Sequence, residues 1–335
     1  MKKLLLHALI GIILLVLLNQ LAIYSGSIYK DGASIICEAK REAVRSGKIG
    51  YQQGKTNVLF MGASGMLAGL NPEVFDSIFN DSVYSVNMAL PALPIASNYH
   101  YLKDYLAKNP APQYIIMPLH LTFEPFLLFD TYANQGLNFP NELISYFWNV
   151  EGKNQVVNYL LPIHVYRASV FKYLRNRFMN PKNINHTRQR NKQIIEKMIA
   201  QKGYYFIQEQ SKFPEGRLPE NYAAPSDCDT CIKQMPNPFS DPYVEKFFDL
   251  TEKRDIQVML VTYPMRRGSL AQYTETPKQL KDLTKKYTHV SLPPEGWQIP
   301  FYDNRYFSDP HHLNIEGSTD YTERIAYSFR KEYFN

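Results

Sequence analysis

Cysteine is scarce in this 335-residue chain, which has only Cys37, Cys228 and Cys231. The single close pair, in "CDTC", has no second pair to complete a zinc site. It lies in the Pro-rich stretch "LPENYAAPSDCDTCIKQMPNPFSDP", without the strand-to-helix setting of a redox dithiol. In an exported chain the blander reading is a local disulfide staple that leaves Cys37 unpaired, and a thiol–disulfide enzyme is the rival one. A large excess of one charge is missing too, with 37 basic against 31 acidic residues and a net charge of +6. The basic cluster in "HTRQRNKQIIEK" reads as a solvated helix face, so no nucleic-acid partner is expected. Internal repeats and low-complexity tracts are absent. What is plentiful is core material: 45% of residues are hydrophobic and 14% aromatic, which argues against global disorder.

The N-terminus carries the one long apolar run. In "MKKLLLHALIGIILLVLLNQLAIYSG", Lys2 and Lys3 precede apolar sequence from Leu4 to Leu18, with a weaker tail to Tyr24. About 20 helical residues span a bilayer, and basic residues ahead of the run hold the N-terminus on the cytoplasmic side. A cleaved signal peptide is the rival reading. No convincing Ala-x-Ala site follows, which favours an uncleaved anchor. Either way, the remainder is expected on the periplasmic or extracellular side. Residues 1–25 are thus an anchor or signal segment, and 26–56 a juxtamembrane helix and linker.

From Asn57 an α/β rhythm begins. "NVLFMG" reads as a buried parallel strand, and "NPEVFDSIFN" as a helix capped by Asn71 with Pro72 at its first position. "SVYSVNMAL" and "PQYIIMPLH" are further strands, separated by a helix in "PIASNYHYLKDYLAKNP". Residues 121–245 break the pattern and read as a helical, aromatic-rich insertion. The rhythm then resumes with a helix in "PYVEKFFDLTEKRD", a strand in "IQVMLVTYP", a helix in "TPKQLKDLTKKY", a short strand in "HVSLP" and a terminal helix. The expected fold is a three-layer α/β/α domain over 57–335, with a mostly parallel, doubly wound sheet.

Two stretches carry chemistry. In "VLFMGASGMLAGL" the chain leaves a strand through Gly62-Ala63-Ser64-Gly65, at the sheet edge where open α/β folds bind ligands. A serine hydroxyl there needs a base, and an imidazole oriented by a carboxylate is the usual one. "DPHHLNIEG" supplies Asp309 and His312, three residues apart, with His311 between them and the terminal helix following. His311, His312 and Asp309 lack a further ligand pair, so no metal is expected, and no cofactor. Tyr263 and Arg266 follow a strand end, where contact with an anionic or sugar substrate is one reading, but loop arginines commonly have no such role and that plainer reading is preferred.

These two stretches resemble the first and last blocks of the SGNH (GDSL-type) hydrolase superfamily, and in particular its membrane-anchored exported branch with the alginate O-acetylation and DltD-like proteins. The resemblance covers 57–120 and 255–335. It implies Ser64 as nucleophile, His312 as general base and Asp309 as the residue that orients it. It also implies an SGNH/flavodoxin-like sheet and acyl transfer on an ester of a cell-envelope polysaccharide. The partners implied are the acylated glycan or other ester, the membrane through the N-terminal helix, and an integral membrane acyl-donor protein in the transferase case. The sequence departs from the family in its oxyanion donors. The second-block glycine has no clear counterpart, and the third-block asparagine is missing. Asn87 and His120 lie near those places, and with Gly62 and His311 they are the oxyanion or substrate candidates. These gaps motivate the alternative of a catalytically weak protein serving in glycan binding or envelope assembly.

Overall fold

The computed structural model describes residues 2–24, 33–91, 95–118, 175, 178, 181–205, 211–223, 241–267, 278–295 and 300–334. His120, Cys228, Cys231 and the segment "ELISYFWNV" lie outside the described residues, as does "HVYRASVFKYLRNRF" apart from Arg175 and Phe178. The chain divides into two compact units, one formed by 1–38 and 125–196, the other by 39–124 and 197–335.

In the first unit, helix α1 (Lys2–Tyr24) exposes its large apolar side chains, Leu4 and Leu21 among them. The window Lys2–Asn19 has a mean hydropathy of 1.9, so α1 is long and apolar enough to be a membrane anchor or a signal sequence. Helix α2 (Ala33–Arg45) is the helix expected in the linker and straddles the division of the chain. Its residues from 39 onward belong to the second unit, where Lys40, Ala43 and Val44 are buried and Arg45 pairs with Asp104 at 3.0 Å.

The second unit is built on five parallel strands: β1 (Thr56–Phe60), β2 (Val83–Asn87), β3 (Tyr114–Pro118), β4 (Gln257–Val261) and β6 (Val290–Ser291). Their order is β2-β1-β3-β4-β6. Every strand foreseen from sequence is present. Two short ones, β5 (Met265–Arg266) and β7 (Phe301–Tyr302), form a separate parallel pair that was not foreseen. Strands β1 to β4 are almost wholly buried, which explains the apolar runs of β1, β3 and β4.

Between β1 and β2 lie α3 (Ser64–Gly69) and α4 (Pro72–Ile78); α5 (Ile95–Leu106) joins β2 to β3. The chain goes one way from β1 to β2, then crosses back to β3. With right-handed crossovers, α4 and α5 therefore fall on opposite faces. Helix α6 (Pro181–Ala200) belongs to the first unit as far as residue 196; in the second, α7 (Pro242–Lys253) leads into β4, α8 (Lys278–Lys286) into β6, and α9 (Ile315–Tyr333) closes the chain.

Local signals account for the helix starts. Asn71 Oδ1 accepts the Glu73 N–H at 3.0 Å ahead of Pro72, and Asp241 does the same for Tyr243 at 2.8 Å ahead of Pro242. Each such cap is worth about 1 kcal/mol. An aromatic cluster then welds α4 and α9 to the sheet. Phe60 meets Phe75 at 5.0 Å, Phe75 meets Phe329 at 5.4 Å, and Tyr114 meets Phe329 at 4.9 Å between ring centroids. A second cluster joins α5 to α7 through Tyr99 and Tyr243.

Candidate active site

The order reversal between β1 and β3 makes a topological switch point, and doubly wound sheets hold ligands at the carboxyl ends of the strands there. The chain passes that point in three residues after β1, and their geometry is tightly specified. Gly62 has φ 125°, and a Cβ there would lie 2.8 Å from Pro118 Cδ. Its N–H donates to Asn98 Oδ1 at 3.1 Å. Ala63 is extended and donates its N–H to the Tyr263 hydroxyl at 3.2 Å. Ser64 then opens α3, half-buried, and among the described residues its Oγ makes no hydrogen bond. A Cβ on Gly65 would come 2.5 Å from the Tyr263 ring. The phenol of Tyr263 thus touches both chain neighbours of Ser64. Burial pushes that phenol's pKa up, against the Ala63 hydrogen bond that lowers it, so it remains a neutral hydroxyl.

The second half of the site is a turn closed on itself. Phe307 and Leu313 bridge antiparallel, and the Ser308 N–H reaches the His312 carbonyl at 2.8 Å. Ser211 Oγ donates to the Ser308 carbonyl at 2.5 Å. Asn314 caps α9 by accepting the Gly317 N–H at 3.0 Å and donates to the Arg305 carbonyl at 2.6 Å. Inside this turn, Asp309 Oδ1 accepts the backbone N–H groups of His311 and His312 at 2.8 and 3.0 Å. The His312 ring Nδ1 lies 2.9 Å from Oδ1 and 2.8 Å from Oδ2. With Asp309 ionised, Nδ1 carries the proton and Nε2 is left as an acceptor. His311 is exposed, its ring centroid lies 6.4 Å from that of His312, and it meets Asp309 through its backbone N–H. The Asp-x-x-His spacing therefore pairs Asp309 with His312.

Burial alone would raise the Asp309 carboxyl. The His312 ring and its charge, with the two backbone donors, outweigh burial and hold Asp309 below the ordinary carboxylate range. The pairing thus contributes stability that is complete above the unfolded carboxyl value of about 3.9 and is lost as pH falls through the lower folded value. Thermal melts from about pH 3 to 7 should show wild type exceeding Asp309→Asn by a margin that is constant near neutrality and shrinks below about pH 4. A margin that instead widened on acidification would contradict the pairing.

Among the described residues no hydrogen bond joins Ser64 to His312; what links their segments is helix packing. Helix α9, which follows the His312 turn, packs on α3, which follows Ser64. Ser318 Oγ and Thr322 Oγ1 both donate to the Gly69 carbonyl at 3.1 Å, and the Tyr321 hydroxyl donates to the Thr262 carbonyl at 2.6 Å. Arg266 is 3% exposed. Its Nε donates to the Pro310 carbonyl at 3.3 Å and Nη1 to Asn304 Oδ1 at 3.2 Å, while the guanidinium lies over the Tyr222 ring. Arg266 therefore anchors the Asp309–His312 turn, a structural role that its place after a strand did not disclose.

The oxyanion candidates fare unevenly. The Gly62 N–H is engaged by Asn98, and His120 lies outside the described residues. Asn87, 1% exposed, is fully spent on structure. Its Nδ2 donates to the Met66 and Leu70 carbonyls at 2.9 and 2.8 Å, capping the C-terminus of α3. Its Oδ1 accepts the Ala89 N–H at 3.1 Å and Lys40 Nζ at 3.2 Å. The expectation of Asn87 as an oxyanion donor is replaced by a capping role. Sequence reasoning did not find Asn98 or the bracing by Tyr263. The only available signal for Tyr263 was its place just after β4.

No group of three or more His, Cys, Asp or Glu suited to hold a metal occurs among the described residues. Compared with known proteins, the chain matches no family model, no curated protein and no solved structure.

Proposed function

We propose that this chain is a serine acyl esterase or O-acyltransferase of the SGNH type, anchored in the membrane by α1, with its α/β unit on the periplasmic or extracellular side. Its substrate is an ester group of a cell-envelope polysaccharide. The observation that supports the reading is the Asp309–His312 pair: with Nδ1 bonded to the carboxylate, Nε2 of the neutral ring is the nitrogen left to act as a base, and among the described residues Ser64 Oγ makes no hydrogen bond. In the reaction, Ser64 Oγ attacks the acyl carbon as His312 Nε2 takes its proton. Asp309 holds the ring in the required tautomer and stabilises the imidazolium. Collapse of the tetrahedral intermediate expels the alcohol, which receives the proton from His312, and leaves an acyl-serine. Water then gives the free acid, whereas a sugar hydroxyl gives a transferred ester and implies an integral membrane protein as acyl donor. The Ser64–His312 hydrogen bond forms as substrate binds, since such contacts commonly tighten in the complex.

One observation favours a second reading, an SGNH-type fold retained for glycan binding or envelope assembly. The Gly62 N–H and the Asn87 amide are already committed to protein acceptors, and losing one oxyanion donor costs about 10²–10³ in rate. A fluorophosphonate probe on the full chain in detergent micelles separates the two. Labelling of wild type that disappears in Ser64→Ala is the expected result. Folded wild-type protein that takes up no label would decide for the binding protein.

A further inference from the structure

Both halves of the site are braced by a single short segment, the exit of β4. Tyr263 and Arg266 are three residues apart, so their backbones are separated by about 10 Å at most. Tyr263 holds the Ser64 turn from both sides, its hydroxyl on the Ala63 N–H at 3.2 Å and its ring against Gly65. Arg266 holds the His312 turn through the Pro310 carbonyl, which lies between Asp309 and His312. The segment is itself fixed. Met265 and Arg266 pair with Phe301 and Tyr302, the Met265 N–H donates to the Pro300 carbonyl at 3.0 Å, and the Arg267 N–H donates to the Tyr302 carbonyl at 2.9 Å. Just upstream, the Thr262 carbonyl accepts the buried Tyr321 hydroxyl from α9. Asn304, held by Arg266, donates in turn to the Glu220 and Tyr222 carbonyls at 2.8 and 2.9 Å.

We infer that Tyr263 and Arg266 are positioning residues, and that the β4 exit registers the Ser64 hydroxyl against the His312 imidazole. The inference rests on the esterase or acyltransferase reading and adds the device by which two turns far apart in sequence share one geometry. The contacts of both run to the turns rather than to the reacting atoms: Tyr263 to Ala63 and Gly65, Arg266 to Pro310. Each acts through a turn, and displacing a reacting group by about 1 Å is enough to cost about 10²-fold in rate. Gly65 belongs to the same device, because only a residue without Cβ admits the Tyr263 ring.

The test uses the full-length chain in detergent micelles, p-nitrophenyl acetate as substrate and a fluorophosphonate as active-site titrant. Tyr263→Phe keeps the ring on Gly65 and removes the acceptor for Ala63. Arg266→Gln removes the Pro310 anchor, and Arg266→Lys keeps the charge and one donor. The expected result is a fall in kcat per titrated site of about 10- to 100-fold in Tyr263→Phe and Arg266→Gln at unchanged KM, with partial recovery in Arg266→Lys. The double variant should lose much less than the product of the single losses, as residues acting on one geometry do. A proton spectrum supplies a readout that a general loss of stability would not reproduce. The low-field resonance of the His312 Nδ1 proton should persist in Tyr263→Phe and vanish in Arg266→Gln.

Wild-type kcat within twofold in both single variants, with wild type itself labelled and active, would overturn the inference and leave the enzyme reading standing. So would a rise in KM that accounts for the whole loss, because that marks a substrate contact. Wild-type protein that neither labels nor turns over removes the enzyme reading, and this inference with it.

Discussion

Under the proposed acyl-transfer reading, replacing His312 by glutamine is expected to lower kcat by about 10⁴–10⁶-fold with little change in KM, the scale on which serine hydrolases lose activity without their base. Glutamine occupies similar volume and can donate to Asp309, so the turn bonded through Ser308 and Leu313 should hold. It cannot take a proton from Ser64, and the hydroxyl reverts to a poor nucleophile. His311→Gln is the internal control. Its ring is exposed and makes no bond to the carboxylate, so kcat should stay within a few-fold of wild type. Steady-state kinetics on p-nitrophenyl acetate, normalised to folded protein, check both. Loss of activity on replacing His311 alone, with His312→Gln unaffected, would transfer the base to the neighbouring residue.

The second large effect falls on stability. Asn87→Ala should destabilise the α/β unit by about 3–5 kcal/mol, measured by denaturant titration. The substitution strips the C-terminus of α3 of its side-chain cap, leaving the Met66 and Leu70 carbonyls buried without that donor. It also removes one acceptor from Lys40, a lysine 1% exposed whose Nζ additionally reaches the Asn87 and Ala89 carbonyls at 2.7 and 2.6 Å. A buried ammonium that loses an acceptor cannot turn to water for a substitute, which enlarges the cost. Because α3 begins at Ser64, the damage should reach the site as well. A loss below about 1 kcal/mol would show that Asn87 is dispensable for the cap.

Much of the architecture could be read from local chemistry. Asn71-Pro72 announced a helix start through capping, and the apolar runs of β1, β3 and β4 announced burial on both faces of the sheet. The spacing of Asp309 and His312 was equally informative, because a carboxylate that gathers two backbone N–H groups and a ring nitrogen needs only the residues between them. What escaped was of another kind. An asparagine at a strand end looks the same whether it awaits a substrate or caps a neighbouring helix, and only the fold shows that Asn87 faces the carbonyls of α3. Lys40 sits in an amphipathic helix where a lysine is normally solvated, yet here it is buried against the end of β2. Strands of two residues, such as β5 and β7, are too short to leave a period. Arg266 looked like one more loop arginine because its partners, Pro310 and Asn304, are remote in sequence.

The contact between Gly65 and Tyr263 has a consequence for how this chain can vary. The ring occupies the volume a side chain at position 65 would need, and its hydroxyl is tied to Ala63, so it cannot swing aside freely. A larger residue at 65 is admissible only alongside a smaller one at 263. Inherited change at these two positions, nearly two hundred residues apart, therefore has to travel as a pair.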